Sequence, residues 1–300
     1  MVVIRLNEPA DTYHAIPAFS AGLAWDIVGP DGCLAMAYAR SRWLNPNYQP
    51  ERDEAMDSGV IAHLATLEEE KLDAAIVLVH ARDWRSKAAR EVRDEAYAQG
   101  KIPILAEREP GSSGSSLQKV LAMRAALQAN PVTNELLYGP GDNEVSYDWV
   151  DEIAGVHCKA RADRVVGAPG EITKLIDLKT AQSVSPDGFQ RSMMRYGHHL
   201  RCAFYLDGWL AQDRESREAL VDYFFACVRS EPPHLVAVYA LELQAIDWGR
   251  KLYRKAMTEF EAAHAGGMAW WGYTRDVVMP IDLPTWAGYR LADREAAGEL

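Results

Sequence analysis

Two short stretches in the middle of the chain constrain its fold more than anything else. The first is His157-Cys-Lys-Ala-Arg-Ala-Asp-Arg-Val-Val166, and the second is Leu175-Ile-Asp-Leu-Lys-Thr180. Between them lies Gly167-Ala-Pro-Gly-Glu171, a turn-forming segment. The pattern predicts a β-hairpin with a carboxylate on each arm, Asp163 and Asp177, and a lysine, Lys179, two residues past the second. Side chains at i and i+2 of a strand point the same way, so Asp177 and Lys179 share one face while Ile176 and Leu178 take the other. On an exposed strand such a pair is an ordinary solvated neighbour contact. On an apolar strand it is the local chemistry that holds a divalent metal and orients a water for phosphodiester hydrolysis. Asp163 on the partner arm and the apolar flanks favour the chemical reading. So does the helical stretch that follows, about 186–212, which carries Arg191, Arg195, His198, His199, Arg201 and Tyr205. Arg201 and Tyr205 are four apart and share a helix face.

These residues resemble a known family. Cys158-Lys-Ala-Arg-Ala-Asp-Arg164, Ile176-Asp-Leu-Lys-Thr180 and Tyr196-Gly-His-His-Leu-Arg-Cys-Ala-Phe-Tyr-Leu-Asp-Gly-Trp209, in that order, look like the PD-(D/E)xK nuclease superfamily. Within it they look most like the RecE-like (exonuclease VIII type) exonucleases of phages and prophages. The likeness extends outward. Ser58-Gly-Val-Ile-Ala-His-Leu64 resembles the family's upstream Gly-x-x-x-His helix, and Trp84–Lys87, Arg93–Ala96 and Gly100–Leu105 resemble the segment after it. Glu144–Trp149 resembles the strand entering the hairpin, and Trp271–Tyr273 and Leu283–Trp286 the closing segment. The similarity runs from about Tyr13 to Trp286.

The resemblance implies an α/β fold with a restriction-endonuclease-like core: a mixed central β-sheet flanked by helices, with a helical N-terminal part. It implies Asp163, Asp177 and Lys179 as catalytic residues. The metal, Mg2+ with Mn2+ as a substitute, would be bound by His63, Asp163, Asp177 and the backbone carbonyl of Leu178. Glu144 is either a further acidic ligand or a solvated charge at the strand edge. Arg161, Arg191, Arg195, His199, Arg201 and Tyr205 are the candidate DNA contacts. Family members commonly carry Gln-x-x-x-Tyr where this chain has Arg201 and Tyr205. Arginine still grips phosphate, bidentately and with charge. The implied activity is digestion of double-stranded DNA from an end, 5′→3′, leaving a 3′ strand for a RecT-like annealing protein, with oligomerisation into a ring. The alternatives are a structure-specific or restriction-type endonuclease, and an inactive DNA-binding or assembly protein on the same fold.

Composition bounds the reading. At 300 residues and 48% hydrophobic, the chain can bury a large core. We expect one domain over 1–300, mainly helical over 1–140, with the nuclease core over 141–290. Glu109-Pro-Gly-Ser-Ser-Gly-Ser-Ser116 is too short to separate domains and reads as a loop into a helix capped by Ser115 or Ser116 that runs to about Asn130. No apolar run is long enough to cross a membrane and no secretory signal opens the chain, so a cytoplasmic protein of a bacterial host is expected. The four cysteines, Cys33, Cys158, Cys202 and Cys227, show neither C-x-x-C spacing nor a C-terminal trio. They read as reduced, mostly buried thiols, and no iron–sulfur cluster is expected. A formal charge of −11 opposes indiscriminate binding to nucleic acid. Between His157 and Arg201, however, basic residues outnumber acids, which predicts a local basic groove on an acidic body. The tryptophans at 84, 149, 209, 270, 271 and 286 read mainly as core or interface residues.

The apolar spacing predicts helices over about 57–81 and on to about 99, an extended piece at 102–105, and two or three strands within 146–181. After the helix at 186–212 it predicts an antiparallel pair at 223–229 and 234–242 and a final amphipathic helix at 245–263.

Overall fold

The structure is a computed structural model. It describes residues 3–49, 54–108, 115–167, 172–212, 221–267, 270–274 and 278–300. Among these the elements are, in chain order, β1 (Val3–Arg5), α1 (Ala10–Ala15), α2 (Ala21–Val28), α3 (Leu34–Arg40), α4 (Glu54–Leu67), α5 (Glu69–Ala75), β2 (Ile76–Val79), α6 (Lys87–Ala98), β3 (Ile102–Leu105), α7 (Leu117–Ala129) and α8 (Pro131–Tyr138). There follow β4 (Asp142–Val150), β5 (His157–Val166), β6 (Thr173–Ala181), α9 (Pro186–Tyr196), α10 (His198–Leu210), β7 (Val221–Arg229), β8 (Val236–Tyr239), α11 (Leu243–Ala265) and α12 (Thr285–Ala296).

The main sheet is six-stranded and mixed, in the order β1-β4-β5-β6-β7-β8. Its one parallel pair is β6–β7, where α9 and α10 make the crossover; the other neighbours are antiparallel. Helices cover both faces. On one, Tyr147, Trp149, Cys158, Ala160, Leu175 and Phe225 pack against the inward residues of α2, α10 and α11. On the other, Ile176, Leu178, Ala226 and Val228 pack against Ile61 and Ala65 of α4, Val120 and Met123 of α7 and Leu136 of α8. The sandwich explains why β6 is apolar on both sides of its central Asp177: Leu175 enters one core, Ile176 and Leu178 the other. Burying apolar side chains of this size contributes roughly 1.5–3 kcal/mol each.

The sequence-predicted helix over 57–81 is instead α4, α5 and the short strand β2, which pairs in parallel with β3 in a separate two-stranded sheet. Ile76-Val-Leu-Val79 is β-branched at three of its four positions, and pairing overrides helical periodicity there. The helix over 186–212 breaks at Gly197, whose φ of 69° lies in the left-handed region. A Cβ there would also meet the Trp25 ring at 2.4 Å. The break turns α10 back across the sheet. Ser116 caps α7 through its hydroxyl to the Lys119 N–H, as expected. The turn residues 168–171 and the loop residues 109–114 lie outside the described residues. Cys158, Cys202 and Cys227 are buried, Cys33 is half-buried, and all four are free thiols.

Candidate metal centre and cleft

The site begins at a defect between strands. β5 pairs with β6 through Arg164↔Ile176, Val165↔Leu175 and Val166↔Lys174, and the paired register ends there. On the other side, β4 pairs with β5 at Asn143↔Arg164 and Val145↔Ala162, skipping Glu144 and Asp163. Glu144 has φ 53°, a left-handed conformation uncommon for a residue with a side chain. Strain of this kind costs about 1–3 kcal/mol and persists where the surroundings enforce it. Both skipped residues are carboxylates.

Where β5 leaves β6, the Leu178 peptide faces the gap. Its N–H donates to Asp163 Oδ2 at 2.7 Å, and its carbonyl accepts from His63 Nε2 at 2.9 Å. His63 Nε2 also lies 3.5 Å from Asp163 Oδ2. His63 reaches the gap because α4 lays Ile61, Ala62 and Ala65 on the sheet, and Gly59, one turn before it, lies over Thr180. Ligand atoms of His63, Glu144 and Asp163 all lie within 4.8 Å of one another. Two carboxylates and an imidazole this close are a donor set that suits a divalent cation. Burial, and then the charge of Asp163, push the Glu144 carboxyl up to about 7. A cation between the two carboxylates would relieve that repulsion.

Asp177 is the neighbour of this cluster and not one of its three members. Continuing the β5–β6 register by one step puts it opposite Asp163. Its side chain is 3% exposed; it pairs with Lys179 on its own strand and lies 3.7 Å from Arg201 Nη1 on α10. Burial alone would raise its pKa, but the charges of Lys179 and Arg201 and the Lys179 hydrogen bond outweigh burial and hold the carboxyl below its ordinary range. Arg161, on β5, pairs with Glu144. Tyr205 is buried beside Arg201, and burial lifts its hydroxyl to about 12.

These groups open on one large cleft of about 1190 Å³. One wall carries His63, Glu144, Arg161, Asp163, Leu178, Lys179, Arg201 and Tyr205. The facing wall is N-terminal and includes Tyr13, His14, Arg40, Arg42 and Tyr48, none of which the sequence reading selected. No motif marks them, because they sit on short helices and loops that meet the hairpin only in three dimensions.

Two expectations, His199 and the basic groove, are corrected, and Arg191 and Arg195 sit apart from the cleft. His199 does not face the cleft: it is 4% exposed, with its ring edge-on to Trp25 at 6.0 Å, because its position on α10 turns toward α2. Arg191 and Arg195 lie exposed on α9, outside the cleft lining. The basic groove is also thinner than the residue count suggested. The buried Lys159 donates to the carbonyls of Tyr13, His14 and Ile16 at 2.9, 3.3 and 2.7 Å. The buried Arg164 bonds the Leu136 carbonyl at 2.9 Å and also Gly139 and Asn143. Both cations hold the scaffold together. Of the tryptophans, Trp149 is core and Trp84, Trp209 and Trp270 pack against it or its satellite clusters, while Trp271 and Trp286 are exposed.

Residues 31–269 match the family model described as a PDDEXK-like domain of unknown function (DUF3799). The chain belongs to this family. It is thereby a member of the PD-(D/E)xK nuclease superfamily, and the mixed sheet between helices is that superfamily's restriction-endonuclease-like fold. A crystal structure from Eubacterium rectale, described as a "Putative exonuclease", superposes with a TM-score of 0.60 at 13% identity, covering 93% of this chain and 97% of that one. A second solved structure, SSO0001, covers 76% of this chain and 84% of its own at 13% identity and a TM-score of 0.29, too low to carry an argument. No curated protein matches. Among the described residues no helix is long and apolar enough to cross a membrane.

Proposed function

We propose that this DUF3799 chain is a metal-dependent deoxyribonuclease, an exonuclease that hydrolyses phosphodiester bonds of double-stranded DNA from an end in the 5′→3′ direction. The reading takes residues 1–300 as one unit. The observation that carries it is the convergence of His63, Glu144 and Asp163 at the strand gap, beside Lys179 and in an open cleft. The exonuclease assignment is further supported by the fold likeness to the E. rectale protein and by the RecE-like motif order.

His63, Glu144 and Asp163 would hold Mg2+, or Mn2+ in its place, with Asp177 and the Leu178 carbonyl completing the set. Such an ion, when bound, polarises a phosphate oxygen and lowers the pKa of a water. Lys179, paired with Asp177 in the structure, would orient the attacking water and neutralise charge growing on the phosphate oxygens. Arg201, backed by Asp177 and Tyr205, would grip a neighbouring phosphate in place of the family's glutamine. Arg161 would shift from Glu144 toward the backbone once a cation takes over that carboxylate. A RecT-like annealing protein and a homo-oligomeric ring are the partners this reading implies, in recombination of the phage type.

The test is incubation with Mg2+ and linear duplex, closed circular duplex or single-stranded DNA. Progressive loss of linear duplex alone is the expected result. Nicking or cutting of closed circles would replace the exonuclease reading with an endonuclease one. Binding without cleavage of any substrate would leave an inactive DNA-binding protein.

A further inference from the structure

Tyr13 stands out once every polar group of the cleft is traced to its partner. It lines the cleft, yet the residue is only 7% exposed. No protein group among the described residues hydrogen-bonds its hydroxyl. Two contacts hold its ring and a third holds its backbone. Lys159 Nζ lies 4.9 Å from the ring centroid and Arg161 Cζ 5.8 Å, a pair of cation–π contacts. The same Lys159 ammonium holds the Tyr13 backbone carbonyl at 2.9 Å. A phenylalanine would make every one of these contacts. The ring is thus held by the protein, and its hydroxyl is left to whatever occupies the cleft.

The hydroxyl's surroundings suggest its partner. The charges that act on it are those of Arg201 and Arg161, with Tyr205 and Glu8 also near. Burial, the largest influence, raises its pKa well above the ordinary value. It thus remains a neutral donor at any working pH and adds no negative charge beside an anionic ligand. Arg161 lies over the ring and Arg201 lines the same cleft, and an O–H donor that shares a cleft with two guanidinium groups suits an anion with several acceptor oxygens.

We propose that Tyr13 is a substrate-contacting residue of the cleft, its hydroxyl donating to a non-bridging phosphate oxygen of the bound strand alongside Arg161 and Arg201. This inference rests on the nuclease reading above. It extends that reading to a residue outside the stretch 31–269 matched by the family model.

The experiment compares wild type with Tyr13→Phe, which keeps the ring between its two cations. Cleavage of end-labelled linear duplex is measured under single turnover in Mg2+, and binding of the same duplex in Ca2+. A set of duplexes, each with one neutral methylphosphonate at successive positions from the end, is then run against both proteins. The variant should keep its melting temperature and lose on the order of ten- to a hundredfold in cleavage, the range for a hydrogen bond to a charged group. At one position of the set, the penalty that the methylphosphonate imposes on wild type should shrink in the variant, because the contact it removes is already gone. A merely structural tyrosine would not move that coupling. Wild-type cleavage with an unchanged variant, or equal methylphosphonate penalties at every position, would overturn the role of Tyr13 and leave the nuclease reading standing. A wild type that neither binds nor cleaves DNA would overturn both.

Discussion

The two walls of the cleft hold charge in different ways. On the sheet wall, Asp177 is buried, the polar groups around it are part-buried, and they answer one another: Asp177 with Lys179 and Arg201, Glu144 with Arg161, Asp163 with His63 and the Leu178 amide. On the N-terminal wall, Arg40 and Arg42 are about half exposed and lean on Asp26 and Asp11 at 3.0 and 3.1 Å. Exposed pairs of this kind contribute roughly 0–1 kcal/mol and are screened by salt. Buried ones depend on geometry and fail badly when one member is removed. The sheet wall is thus arranged for chemistry at a fixed point, and the N-terminal wall for adjustable contact with a polyanion.

Substitutions can break or sharpen this contrast. The largest effect is expected for Lys179→Ala, a sheet-wall group proposed to act on the transition state. Cleavage of linear duplex in Mg2+ should fall a hundredfold or more, while binding measured in Ca2+ stays close to wild type. Full activity in this variant would end the proposed mechanism whatever the fold. Arg201→Ala comes next. Its guanidinium is proposed to hold phosphate, so affinity should fall about tenfold and the slope of log K against log salt should flatten by about one, with a smaller effect on the rate at saturation. On the other wall, Arg42→Ala should weaken binding by about two- to fivefold at low salt and by nothing measurable at high salt, with the cleavage rate at saturation unchanged. An equal loss of chemistry from Arg42→Ala would erase the distinction between the walls.

The smallest effect is one of stability in the metal-free protein. The Glu144 carboxyl is pushed up to about 7 in the folded state, chiefly by burial. A carboxyl whose folded pKa exceeds its unfolded value favours folding while protonated. That contribution is complete below the unfolded value near 4.5 and is lost as pH rises toward 7. In EDTA, Glu144→Gln should therefore gain on wild type between pH 5 and 8, by something on the order of 1 kcal/mol in thermal or denaturant melts. A gap that stays constant with pH would show that Glu144 ionises freely.

Much of the sheet wall was legible in the sequence because its residues sit on adjacent strands with period-two alternation. Asp177, Lys179 and the apolar pair around them follow directly from that rule, and Arg201 and Tyr205 from helical spacing. Glu144 was harder. Its place in the ligand cluster depends on a positive φ and a skipped pair, and nothing in Asp142-Asn-Glu-Val-Ser announces either. His199 misled because both adjacent histidines of α10 are buried, and only the packing of α2 on α10 turns the second toward Trp25 and away from the cleft. Lys159 and Arg164 misled for a related reason: counting cations cannot tell those that reach solvent from those that tie backbone carbonyls together. The N-terminal wall was illegible because its residues are brought to the hairpin by chain topology, through contacts such as the Phe19–Cys158 bridge.

The Leu178 peptide gives the cleft a reporter of its own. Its N–H is bonded to a proposed ligand carboxylate where a strand residue would ordinarily bond its neighbour. Any ion that draws Asp163 toward itself must lengthen or redirect that bond. The amide resonance of Leu178 should therefore shift, and its exchange with deuterated solvent change, as metal is added, while amides along β7 stay still. One backbone signal can thus follow occupancy of the centre without DNA and without turnover, in proteins whose cleavage has been abolished as well as in the wild type.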